Sequence, residues 1–472
     1  MTAWAQRGQA LILALMLLVA GAAGLIHLFD SGQLVQEKTR LTNAADATAY
    51  SGALVQARTL NLLAFTNRAL VAHQVAMAHN VTLASWAQYG DTTGKQFTTS
   101  NPPAGIIGSF FGAAHGRAYA RSASLGGRMA SQATWGSGAL ARAFAEHDRV
   151  VHEVLVRAQV AVHEGLPATR LAAMRAVLTA NYPSDSVQLD ARLLNDTLPG
   201  YVQRYGGPAR ARLKAMVEQS AGRYGFLDPR NDTERSLAQI DVRCPLMRHE
   251  LRRRGSTALL GLDTWRSLDT ESYHALRSNR WIGCYYREYA MGYGAVKAGG
   301  GQADEGIDYV KNPPADFSGE DFWRWVQKYT QWDLLGTLSN PFANSLALAG
   351  LAQWTGRGLS SYAEVVASNG GAPRPLRFSI RTSRAAADMP TTRGTGPRAG
   401  HRVLLFDPRL ADNEMAAISA AETFYARPMA RADRRHEQAS LFQPYWQARL
   451  SAITDDERIQ ARRWQEGRRH GS

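Results

Sequence analysis

His-Glu stands in "HEGLP" from His163 and in "HELRR" from His249. A zinc-protease helix uses that pair with a second histidine four residues on; here Pro167 and Arg253 stand there. His147, His152 and His163 share one helical stretch, but His147 and His152 point about 140° apart, and His163 lies three turns beyond His152. "GDTTGK" (Gly90–Lys95) falls one residue short of a phosphate loop. No Gly-x-Ser-x-Gly elbow stands between a strand and a helix. The carboxylate pairs Asp304/Glu305, Glu320/Asp321 and Asp455/Asp456 are adjacent residues, the pattern of solvated turns and helix starts. These patterns predict no catalytic site, no metal site and no cofactor.

Two cysteines, Cys244 and Cys284, are a candidate disulfide if this region is exported, or two buried thiols if not. A bond would close a loop of about forty residues, worth something like 3–4 kcal/mol in a chain-entropy treatment. The aromatic segments "WIGCYYREYAMGYGA" and "FWRWVQKYTQWDLL", with Trp323, Trp325, Trp332 and Trp354, are either core or the lining of a groove for a glycan or peptide. The formal charge is +14, and 48 of the 54 basic residues are arginines spread along the chain. No nucleic-acid motif accompanies them, so an acidic partner or an anionic envelope surface is the expected neighbour, not DNA or RNA.

The elements that would have to position any such groups begin with an apolar run. Ala10 to Phe29 holds no carboxylate, lysine, arginine or proline. As a helix it measures about 30 Å, the thickness of a bilayer's hydrocarbon core. Ala20-Gly21-Ala22 would suit signal cleavage, but apolar character continues through Leu25, Ile26, Leu28 and Phe29, which favours retention as an anchor. The expectation is a single-pass membrane protein, its amino terminus cytoplasmic and its bulk exported. No proline occurs before Pro102, so helix can continue to about Tyr89. Leu34, Leu41, Val55, Leu62, Ala69, Ala76 and Leu83 fall at seven-residue steps, broken only by Thr48, with Val35, Ala49, Leu63, Leu70 and Met77 beside them. That stripe either folds onto the helix's own domain or forms a stalk that bundles with other subunits, itself included.

The Arg7-Gly8 start, the apolar run and "EKTRLTNAADATAYSGALVQAR", with Asn43, Ala44, Ala45 and Asp46 at its centre, resemble TadG-like proteins of tight-adherence (Tad/Flp) pilus assembly. The resemblance covers about the first sixty residues. "AAISAAETFYARP" and "ASLFQPYWQARLS" resemble closing segments of large membrane proteins of such systems. Prepilins carry a glutamate five residues beyond the glycine, where this chain has Leu13, and no Asp-x-Ser-x-Ser metal turn is found. The resemblance therefore implies an anchored assembly or accessory component whose partners are the membrane and other pilus-assembly or envelope proteins.

The remaining chain predicts an α+β fold with helix in excess. Residues 1–9 form a short cytoplasmic tail, 10–29 the membrane helix and 30–90 a helical stalk. Residues 91–138 form a Gly/Ser/Pro-rich surface excursion and 139–224 a helical region. Residues 225–412 are mixed, with strands in "PLRFSIRTSR" and "HRVLLFDP", and helices over Asp321–Leu335 and after Pro341. A helix is predicted from Asn413 to Ala426 within a helical segment 413–450, and 451–472 is a charged, fraying tail. The function implied is a non-enzymatic, membrane-anchored component of a Tad/Flp-type pilus or secretion apparatus. The alternatives are an exported protein that binds an envelope ligand through its aromatics, or an envelope enzyme.

Overall fold

The computed structural model describes residues 6–134, 136, 138–183, 187–189, 194–281, 283–300, 307–310, 339–366, 375–385, 388–391, 414–433, 435 and 437–467. The helices Asp321–Leu335 and the strand "HRVLLFDP" predicted above lie outside these residues. The helices are α1 (Gln6–Thr98), α2 (Ala104–Phe111), α3 (Ala113–Ala133), α4 (Ala139–Arg149), α5 (Val156–Asn181), α6 (Ala211–Ala221), α7 (Pro341–Ala349) and α8 (Asp455–Gly467). The strands are β1 (Val187–Leu189), β2 (Asn195–Asp196), β3 (Val202–Tyr205), β4 (Asp232–Arg235), β5 (Glu250–Leu260), β6 (Thr264–Asn279), β7 (Gly283–Gly299), β8 (Ala352–Trp354), β9 (Tyr362–Val365), β10 (Leu376–Ala385), β11 (Glu414–Tyr425) and β12 (Trp446–Ser451). The fold is α+β.

α1 runs without a break through 93 residues because nothing in it removes a backbone donor. It stops where Ser100 turns to a positive φ of 54° and the Asn101 amide returns to the Gln96 carbonyl at 3.0 Å. The predicted surface excursion at 91–138 is thus a correction: α1 extends to Thr98, and α2 and α3 follow. Glycine and serine there sit within helices, for Gly108 and Gly116 face each other so closely that a Cβ on Gly116 would lie 2.9 Å from the Gly108 Cα. α4 is joined to α5 by a π-helical turn, Val150–Leu155.

The chain forms two compact units. The first comprises residues 1–65, 160–203 and 363–472. Its sheet has the order β1-β10-β11-β12, all antiparallel, with β2 also on β10. Leu376 pairs with Thr423 and Ala385 with Glu414, so ten residues of β10 lie along β11. The helix predicted over Asn413–Ala426 is therefore strand β11. Its burial alternates, with Met415, Ala417 and Ser419 inside, and it sits between two partner strands that supply ladder hydrogen bonds an alanine-rich segment otherwise finds in a helix. The tail predicted to fray instead forms α8, whose start is fastened by Glu457 beneath Arg377, at 2.5 and 2.8 Å.

The second unit comprises residues 66–159 and 204–362. Its sheet runs β4-β5-β6-β7-β8, with only the β7–β8 pair parallel. β5, β6 and β7 form a meander of 11, 16 and 17 residues, with a register shift between Glu271 and Ser272. The carboxy-terminal part of α1 lies on one face of it. β7 permits this through Gly294, where a Cβ would come 2.4 Å from the Ser85 carbonyl oxygen and 2.6 Å from the Tyr89 nitrogen.

Candidate functional site

The apolar run at the start of α1 has a mean hydropathy of 2.5 over an eighteen-residue window, none of it buried. Leu11, Leu18, Leu25 and Leu28 are each about two-thirds exposed or more, at 74%, 68%, 70% and 69%. So much apolar surface facing outward in a helix of this length fits a bilayer and not a protein interior. At Asp30 the environment changes at once, for that carboxylate is fully buried, and Glu37 follows at 5% exposure.

From Leu41 onward one face of α1 belongs to the core of the first unit. Leu41, Ala44 and Ala45 pack with Leu178, Tyr182, Met389, Met415 and Ala417. One to two turns later Ala49 and Ala53 meet Met174, Phe378, Ile380 and Ala421. The alanines are there because the helix lies close to a sheet. At Gly52 a Cβ would stand 2.7 Å from the Phe378 ring and 2.8 Å from the Met174 sulfur. Polar groups on the same face are matched to β11 and β12. Asp46 accepts from the Ser419 hydroxyl at 2.6 Å, and Thr423 donates to the Ala53 carbonyl at 2.9 Å. Asn61 both donates to the Trp446 carbonyl, at 2.9 Å, and accepts from the Trp446 amide, at 3.0 Å. Such paired satisfaction fixes the register of helix on sheet.

Around this face sits a ring of buried ion pairs. Glu37 accepts from Arg384 at 2.5 Å and from the Tyr182 hydroxyl at 2.9 Å. Arg381 is bound to Glu414, and Lys38 donates to the Ala416 carbonyl. Burial, with Arg381 nearby, holds the Lys38 ammonium below its ordinary pKa. Burial and then Glu37 push the Tyr182 phenol well up. Arg170 grips Asp196 with two bonds, at 3.0 and 2.5 Å.

The predicted association stripe is not one surface. Leu41 is buried, Leu34, Val55, Ala69 and Ala76 are half-buried, and Leu62 and Leu83 are exposed at 47% and 38%. The neighbouring row of Ala49, Leu63, Leu70 and Met77 is almost wholly inside. Of the family-like quartet, Ala44 and Ala45 are buried, Asp46 is half-buried and Asn43 is exposed. Of the two readings of the aromatic segments, core holds for these described residues: Tyr285, Tyr286 and Tyr289 are buried, and Trp354 packs on Phe144 while donating to the Thr134 carbonyl at 3.1 Å. Trp323, Trp325 and Trp332 lie outside the described residues. Trp281, by contrast, is 91% exposed. Cys244 and Cys284 are joined in a disulfide, with 5.9 Å between their α-carbons.

Sequence reasoning passed over the polar interior of the second unit. Asp269 accepts from Ser85 at 2.7 Å and from two Arg230 nitrogens at 2.8 and 3.0 Å. Tyr89 donates to Glu271. On the opposite face of the sheet, Glu288 accepts from Ser272 at 2.8 Å and from the first amides of α7, Phe342 at 2.8 Å and Ala343 at 3.0 Å. Burial, only partly offset by these donors, pushes Glu288 up to about 7. His274 bonds Asn340 at 3.0 Å, and burial followed by Arg252 pushes its pKa well down. The signal that could have found this network is polar alternation, Ser267-x-Asp269-x-Glu271, in a segment otherwise rich in strand formers. Beside it a polar cavity of about 760 Å³ is lined by residues including Asn231, Arg254, Arg266, Asp308 and Asn344. Among the described residues no group of three or more His, Cys, Asp or Glu is placed to hold a metal ion.

Residues 8–57 match the family model described as "Putative Flp pilus-assembly TadE/G-like". The amino-terminal segment of the chain, the apolar run together with the alanine face down to Ala57, is thus TadE/G-like. No curated protein and no solved structure matches the chain.

Proposed function

We propose that the protein is a non-enzymatic, membrane-anchored component of a Tad/Flp-type pilus-assembly or secretion apparatus. In this reading it sits in the bacterial inner membrane through residues 10–29, its amino terminus in the cytoplasm and the remainder exported. The observation that carries the reading is that one helix matches the TadE/G-like family over residues 8–57 and presents an unburied apolar run at its start. The disulfide is in keeping with an exported body. The carboxylates described above are spent on arginines, hydroxyls and a helix start, which leaves them structural roles.

Association with pilus or envelope partners, or with a second copy, then uses the outer face of the helix, since the alanine face is occupied. That outer face carries Val35 at 68% exposure, Asn43 and Tyr50 at 42%. A photo-crosslinking side chain at Val35 or Tyr50, in cells that express the whole apparatus, is expected to capture an assembly component, and one at Ala45 is not. Capture from neither outer position, or release of the native chain from membranes by alkaline carbonate, would overturn the proposal. The residue found first in the membrane-derived chain separates the alternatives: Met1 or Thr2 marks an anchor, Gln9 pilin-type processing and Ala23 a discarded signal.

A further inference from the structure

His73 on α1 and His147 on α4, far apart in sequence, are brought together in the second unit. Their Nδ1 atoms are 2.8 Å apart, their ring centroids 5.0 Å, and the ring planes meet at 69°, edge to face rather than stacked. Spacing along the sequence compares His147 only with His152 and His163, and its partner lies on another helix.

Both rings are half-buried. Burial, and then His147, hold His73 below its ordinary pKa; burial lowers His147 likewise, and the Glu146 carboxylate offsets this only in part. Both are therefore neutral at neutral pH, the form of imidazole that ligates metal. Glu146 is gripped by Arg149 at 2.6 and 2.8 Å, so that guanidinium is engaged beside the pair and not on it.

Two neutral imidazoles can meet nitrogen to nitrogen in two ways. In the first, one ring carries its proton on Nδ1 and donates to the other. In the second, both carry their protons on Nε2, and two lone pairs face the same small space, which calls for a cation between them. Passing from the first to the second moves one proton from Nδ1 to Nε2 of the same ring, so the pair need release no proton to take up an ion. A tetrahedral ion bound by both at about 2.0–2.1 Å holds the nitrogens about 3.3 Å apart. From 2.8 Å the pair has to open by about 0.5 Å, which small rotations of two part-exposed side chains provide.

Imidazole nitrogen suits copper, zinc and nickel, whereas calcium and magnesium take oxygen ligands. Among the described residues no third His, Cys, Asp or Glu completes the set, so water fills the remaining positions and the affinity order is that of an open site, Cu(II) above Zn(II). We propose that His73 and His147 form a two-histidine site for a late first-row divalent ion. With one ligand on each helix, the bound ion replaces a single hydrogen bond by two coordinate bonds and straps α4 to α1. The site does not depend on what the chain assembles with.

The test dialyses the full chain, in detergent micelles and stripped of metal, against zinc chloride at neutral pH. His73→Ala and His147→Ala are each expected to weaken uptake of one zinc ion more than about tenfold. His79→Ala, which removes an exposed histidine of the same helix, is expected to retain it. Zinc is expected to slow hydrogen exchange in peptides from α4 of the wild type and of His79→Ala but of neither ligand variant, and calcium is expected to slow none. Because each ligand variant also loses a bond between helices, a second measurement uses the wild type alone. Carbethoxylation by diethyl pyrocarbonate, read by mass spectrometry, is expected to fall at His73 and His147 when zinc is present and to stay unchanged at His79. Equal zinc uptake by the wild type and both ligand variants overturns the proposal. So does reactivity of His73 and His147 that zinc leaves unchanged, or zinc uptake that leaves α4 exchange as it was.

Discussion

Replacing Ala45 by leucine separates a helix that serves its own fold from one that serves a bundle. Ala45 is fully buried, in contact with a cluster whose other members, Leu178, Tyr182, Met389, Met415 and Ala417, are each no more than 8% exposed. Three added carbons must displace some of these buried neighbours. The two methionines can yield, but Tyr182 is held by Glu37 and is stacked on by Arg40, 4.4 Å from its ring. Overpacking of this sort costs about 1–3 kcal/mol. With the methionines yielding, we take about 2 kcal/mol, which lowers the folded-to-unfolded ratio of the first unit roughly thirtyfold. Asn43, two residues away and exposed, is the control: Asn43→Leu adds similar bulk and should change the same quantity by less than about 0.5 kcal/mol. The assay is hydrogen exchange of the membrane-reconstituted chain, read on peptides from β10 and β11. Ala45→Leu should speed their exchange and Asn43→Leu should not. If Ala45→Leu leaves exchange unchanged and instead abolishes crosslinking between chains, the alanine face is an inter-subunit surface and the packing argument fails.

Three further outcomes are expected. Burial, and then Arg277, hold His249 down to about 4, and its Nδ1 must stay unprotonated to accept from Leu276. A histidine lowered by folding contributes stability that is whole above about 6.5 and is lost as pH falls from there towards 4, amounting to about 2 kcal/mol by pH 5; His249→Asn should flatten the pH dependence of the second unit's unfolding between 6.5 and 5, and an unchanged slope would count against the assignment. Gly294→Val places branched carbon against the Ser85 and Tyr89 backbone, which cannot move aside, and should destabilise the second unit by about 3 kcal/mol or more in thermal melts; a melt matching wild type would mean the helix does not lie so close. Reducing the Cys244–Cys284 bond, 40 residues apart in sequence, should cost about 4 kcal/mol in a chain-entropy treatment, visible as a lower denaturation midpoint in dithiothreitol that Cys244→Ser reproduces without reductant.

What could be read in advance divides by the range of the forces involved. Helix α1, the helices from Ala139 to Asn181 and from Ala211 to Ala221, α7 behind Pro341 and strand β10 follow from local periodicity and breakers, and all could be read. β11 could not. "NEMAAISAAETFY" carries helix formers, and its extended form is decided by strands β10 and β12, which lie 29 and 21 residues away at their nearest ends. The same holds for the stripe on α1. Seven-residue spacing located an apolar face, but only the packed sheet tells that Leu41 is inside while Leu62 and Leu83 are not. The Asn-Ala-Ala-Asp quartet was legible as a motif and illegible as a mechanism, because the partner of Asp46 is Ser419, 373 residues on.

The TadE/G-like match ends at Ala57 and begins at Gly8, and those fifty residues are constrained by two different surroundings. In the proposed anchor every face of the helix up to Phe29 must be apolar, because lipid offers no hydrogen bonds. From Leu41 one face must be small and matched in its polar groups, because a sheet lies against it. No proline or linker separates the two, and Asp30 and Glu37 are already buried one and eight residues beyond the apolar run. A helix that changes surroundings within so few residues cannot rotate about its axis without carrying the buried alanine face, and the β10–β12 sheet on it, through the same angle. The outer residues Val35, Asn43 and Tyr50 therefore keep a fixed azimuth relative to the apolar run. An amphipathic stalk on a flexible joint would not supply that property, and the proposed anchored component, presenting one helical face to an assembling apparatus, would use it.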